Sequence, residues 1–175
     1  GSEVVDGVAV VLPAEGWLHL PGVAWGLDDA TFLRFVQQTG EGKHVLQDSG
    51  PNRFVTRAAA VEGDLRSSWL AWRAEQMATL HQKIAGIVAA ETSWNYYIMP
   101  TTLMFTGSVA ERFRPVVAGQ PQEQAVLYEL GLDPAALTHS ENAIFVAPRL
   151  HAVTEDEIDA ATIATANQSA SVSAW

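Results

Sequence analysis

The feature that most constrains this chain is a helical period sustained over 65–92. Leu70, Ala74, Met77, His81, Ile84 and Val88 recur at steps of four and three, which sets all of them on one side of a helix. Asp64 stands where an N-cap belongs, and Trp69 and Trp72 widen the apolar arc near the N-terminal end. Arg73, Glu75, Gln82 and Lys83 are assigned to the solvent side. A helix this long with one apolar face must be covered, so the rest of the chain is expected to wrap around it.

The remaining segments are shorter. The β-branched run at 8–12, the turn residues Pro13 and Gly16, and the resumption at 17–20 predict a hairpin in which His19 faces solvent, opposite Leu18 and Leu20. A second hairpin is predicted from 43–47 and 53–61, which flank Asp48-Ser49-Gly50-Pro51-Asn52. Between them, Asp28 or Asp29 caps a helix carrying Phe32, Leu33, Phe35 and Val36, and Gly40 closes it. Further on, 94–105 reads as an extended segment broken by Pro100, and 143–146 as a strand ended by Pro148. Short helices are expected after the capping boxes that begin at Ser108 and Thr154, between Pro121 and Gly131, and at Asp133-Pro134. The expected fold class is α+β, with short antiparallel hairpins packed on the long central helix and further short helices around it. One globular domain is expected over 1–167, followed by a small-residue tail, 168–175, anchored by Trp175 on its own domain or on a neighbouring subunit.

Composition narrows the function. At 48% hydrophobic residues the chain has material for a core, and ten Lys plus Arg against twenty Asp plus Glu give a net charge of −10. Such a charge repels phosphate backbones and anionic lipid, so neither nucleic acid nor a membrane is expected as a partner. No cysteine is present, which excludes a disulfide framework, a thiol nucleophile and cysteine-ligated metals. No apolar run approaches the ~20 residues of a membrane span. The first residues carry neither a basic region nor a long apolar stretch, and a cytoplasmic location is expected. Phosphate-binding loop, GxGxxG, HExxH, GxSxG and EF-hand patterns are absent, and no cofactor is expected.

His81 is the most informative single residue, because a titratable ring on an apolar stripe must find a partner or remain neutral. Two readings stand: a core histidine bonded to a backbone carbonyl, or a base or ligand in a pocket beside Trp94, Tyr96 or Tyr97. His139 and Glu141, with His151 beyond, have the composition of a two-histidine, one-carboxylate metal site, against which stands a plain polar strand edge. Six tryptophans are many for 175 residues, and tryptophan is enriched at binding hot spots. Trp69, Trp72, Trp94, Tyr96, Tyr97 and Trp175 are therefore the contact candidates, and Trp69 and Trp72 are expected to be incompletely buried. The first expectation for function is a non-catalytic acidic interaction or assembly module that self-associates or binds a protein partner. The alternative is a small enzyme or ligand-binding protein using the His81 pocket or the His139, Glu141 and His151 site.

The stretch Leu130-Gly131-Leu132-Asp133-Pro134, followed by 139–148 and by Val153-Thr154-Glu155-Asp156-Glu157-Ile158, resembles the end of nitrile-hydratase-type leader peptides. That resemblance implies a helix end, an apolar strand and an acidic helix ahead of a peptide that is later modified, and hence a leader-like carrier. It covers a small part of the chain, and no double-glycine cleavage site follows Ile158.

Overall fold

A computed structural model describes residues 6–12, 18–92, 94–100, 123–138 and 142–146. Strand β1 (Gly7–Val11) leads to helices α1 (Asp29–Thr39), α2 (Lys43–Leu46), α3 (Arg53–Glu62) and α4 (Arg66–Thr92). Strand β2 (Asn95–Met99), helices α5 (Glu123–Glu129) and α6 (Pro134–Leu137), and strand β3 (Ala143–Phe145) follow. The described residues are mostly helical, with one small sheet whose three strands are all parallel in the order β1-β2-β3.

The parallel sheet overturns the expected α+β arrangement of antiparallel hairpins: none occurs among the described residues. The run Gly7–Val11 pairs with β2, Gly7 opposite Asn95 and Val11 opposite Met99, and not with 17–20. An apolar run without polar alternation suits a strand of a parallel sheet, whose partner is distant in sequence, so the nearby turn residues did not decide the pairing. Leu20 instead donates its N–H to the Leu130 carbonyl at 2.8 Å. The second expected hairpin is helical. The turn is real, with the Asp48 carboxylate accepting from Gly50 N–H at 3.0 Å and from the Thr56 hydroxyl at 2.7 Å, but it joins α2 to α3. Ala58, Ala59 and Ala60 favour helix, and Arg57 and Val61, four apart, are the residues α3 buries.

α4 joins two cores. Toward its N-terminus, Trp69 and Trp72 pack with Phe32, Phe35, Val45, Val61 and Leu65. Toward its C-terminus, Ala78 and Ala85 lie with Tyr96, Ile98, Leu127, Leu130, Leu137 and Phe145 against the sheet. The Asp28 carboxylate caps α1 by accepting from Ala30 and Thr31 N–H, and Gly40 closes it at φ 78°. Among the described residues no helix is long and apolar enough to cross a membrane.

Candidate functional site

Where the two cores meet, the loop 20–28 and helices α1 and α4 enclose a cleft of about 450 Å³. The loop cannot drift from α4. Trp69 Nε1 donates to the Val23 carbonyl at 2.8 Å, while Arg73 donates to the Val23 and Gly22 carbonyls at 3.1 and 2.6 Å. Arg57 holds the far end through the Leu27 carbonyl at 2.8 Å. Gly26 turns the chain at φ 92°, and a Cβ there would stand 3.1 Å from Thr31 Cγ2, so a glycine is required beside Trp25. These restraints hold Trp25 at the mouth of the cleft with 60% of its surface exposed.

The floor is apolar and firmly backed. Leu20 and Met77 line it, and behind them Gly131 at φ 75° leaves no room for a side chain: a Cβ would lie 2.9 Å from both. Trp72 forms a wall, its indole fixed by a 2.6 Å bond to Gln38 Oε1 and stacked on Trp69 at 5.4 Å between ring centroids. The polar lining is unevenly charged. Arg34 is exposed and makes no hydrogen bond or ion pair among the described residues, and Arg73 is 2% exposed. Burial pulls the Arg73 guanidinium down to about 10, still charged at neutral pH. Its described hydrogen bonds go to carbonyls, with no carboxylate within ion-pair distance among the described residues and Nε left without a partner. Asp28 is the acid in the lining, and its carboxylate already accepts from Ala30 N–H at 3.1 Å and Thr31 N–H at 3.0 Å.

The sequence candidates fall elsewhere or in other roles. Trp69 and Trp72 are 0% and 5% exposed, so the expected incomplete burial is not met; their rings fill the core between α1 and α4, and Trp72 also walls the cleft. His81 and Tyr96 come together, both fully buried, with His81 Nδ1 3.1 Å from the Tyr96 hydroxyl and Nε2 2.9 Å from the Leu18 carbonyl. Tyr97, next along β2, projects to the opposite face, where its ring lies over Gly7 and its hydroxyl reaches Asp6 at 3.4 Å. Trp94 is half-buried just before β2. His81, Trp94, Tyr96 and Tyr97 therefore do not converge on one cavity. His19, expected to face solvent, is 4% exposed. Arg73, also assigned to solvent, sits four residues from both Trp69 and Met77 on the buried stripe, and that spacing was the signal to its position. Trp25 was not among the candidates, although an aromatic residue set between Pro21-Gly22 and Gly26 is a mark of a loop presenting a side chain.

Trp175, His139, Glu141 and His151 lie outside the described residues, as do the capping boxes at Ser108 and Thr154 and the tail 168–175. Among the described residues no group of three or more His, Asp or Glu side chains is placed to hold a metal. No family model, curated protein or solved structure matches the chain.

Proposed function

We propose that this chain is a non-catalytic interaction module whose contact site is the cleft beneath Trp25, where it holds a group presented by a protein partner. The observation that carries this reading is an indole with 60% of its surface in solvent, poised over a cleft whose walls and floor are already packed. An exposed large aromatic ring costs solvation free energy and is retained at hot spots, where a rigid ring gains area at small entropic cost. The buried His81 and Tyr96 pair is already engaged: His81 uses both ring nitrogens, and its partner Tyr96 is buried with it. A second reading, a protein that binds a small molecule, is favoured by the cleft volume of about 450 Å³, which falls in the range of ordinary ligand sites.

The test is an amide and indole N–H nuclear magnetic resonance screen of the 15N-labelled chain. The panel holds short peptides of acidic, basic and neutral character and small acids, amides and amines. Perturbations centred on Trp25, Arg34 and Gln76, abolished by Trp25→Ala in a variant of unchanged melting temperature, support the module. Binding that maps away from the cleft, or none at millimolar concentration, overturns it.

A further inference from the structure

We infer that the occupant of the cleft is a monocarboxylate on an apolar, preferably aromatic, body. This inference rests on the proposed reading of the cleft beneath Trp25 as the contact site and adds the ligand's chemical class. Its first support is a charge inversion. On a chain of net charge −10, the lining holds two guanidinium groups, Arg34 and Arg73, against one acid, Asp28, which is engaged in capping α1. A positive concavity on an acidic surface raises the local concentration of anions and repels the protein's own kind.

The second support is the state of the two arginines. Arg73 is buried without a described counter-charge, so an anion arriving in the cleft supplies the compensation that its neighbouring carbonyls provide only as dipoles. Arg34 projects from α1 at the rim without a described partner, and a guanidinium fork matches a carboxylate through two parallel hydrogen bonds. One net positive charge suits a singly charged group. A phosphate dianion would meet Asp28 and the −10 background with too little compensation.

The third support is the apolar remainder of the lining. Leu20 and Met77 form the floor, and the largely exposed Trp25 indole, with buried Trp72 also in the lining, gives a flat apolar body aromatic surface to pack on. A neighbouring depression that Trp72 and Gln76 also line, about 430 Å³, is the natural contrast. It holds Glu41 and Glu75 and no cationic side chain, and should not take an acid.

The carboxylate can come from a free small acid or from the C-terminus of a peptide, and the experiment separates these. Titrations following tryptophan fluorescence and Arg34 side-chain resonances use 3-phenylpropanoate and its amide, and N-acetyl-Leu-Phe as free acid and as amide. The expected result is that at least one acid binds in the cleft and its amide binds roughly tenfold or more weakly, the scale of losing one charge-assisted pair. Arg34→Gln should remove that preference and Arg34→Lys should restore part of it, with melting temperatures unchanged because Arg34 is exposed. The acid that binds better names the source. Amides binding as well as acids in the cleft would overturn the carboxylate assignment and leave the interaction module standing. No binding of either acid, or a preference that survives Arg34→Gln, also overturns it.

Discussion

His81 Nε2 faces the Leu18 carbonyl, which can only accept, so the ring proton sits on Nε2 and Nδ1 accepts from the Tyr96 hydroxyl. Protonating Nδ1 would reverse the bond, with the Tyr96 oxygen turned to accept, and would place a cation in an apolar core. Burial accordingly holds the imidazole below its ordinary value and pushes the Tyr96 phenol up to about 12. For a base with a depressed folded-state value, the unfolded chain binds more protons below about 6.5, so stability is full above that pH and falls as the pH drops. Urea midpoints measured at pH 7.5 and 5.5 are expected to fall more for the wild type than for His81→Gln; equal falls would show that the ring carries no such linkage. The stripe made half of this legible, because it put a titratable ring on a buried face. A backbone carbonyl and Tyr96 are both among the partners expected from the sequence, but the stripe could not say that the carbonyl is that of Leu18 or choose Tyr96 over Trp94 and Tyr97, since these contacts are made only through the fold. Arg73 was missed for the opposite reason: charge outweighed a position that the period marked as buried.

Among the helices, α1 and α3 are tied by one carboxylate. Asp29, in the first turn of α1, accepts from Arg53 Nε and Nη2 at 3.0 and 3.1 Å and pairs with Arg57 Nη2 at 2.7 Å. The hydrogen bonds from Arg53, then those from Arg57, hold the Asp29 carboxyl down to about 2. A lowered acid stabilises the fold above its unfolded value near 3.9, and that contribution is lost as the pH falls toward 2. The stability gap between wild type and Asp29→Asn is therefore expected to be widest above pH 4 and to close by pH 2, read as a converging pair of urea midpoints. A gap independent of pH would remove the ion pair from the account. This tie also shows why α3 was read as a strand. Arg53, Val55 and Arg57 alternate in sequence, and a strand would also set Arg53 and Arg57 on one face but about 13 Å apart, whereas one helical turn brings them about 6 Å apart, close enough for both to reach Asp29. Local capping was easier to read: Asp28 and Gly40 bound α1, as their chemistry requires.

For the whole molecule, the long helix and its apolar face could be read from the sequence, whereas the sheet could not. Periodicity reports which face a segment buries and says nothing about which distant strand it pairs with. The cleft shared that fate, being assembled from a loop and two helices whose meeting depends on the packing of two separate cores. The topology also bears on the chain's own birth. β1 is made before α1 through α4, yet its partner in the sheet is β2, translated only after all four helices. At roughly 5–20 residues per second, this short strand, GVAVV, spends several seconds on the ribosome without its neighbour. An uncharged apolar strand left unpaired invites capture or aggregation. Nascent chains stalled after residue 92 should bind a holdase chaperone more strongly than chains stalled beyond β2, and a Val8→Lys change should weaken that binding. Equal chaperone occupancy at the two stall points would mean that the emerging helices already shelter β1.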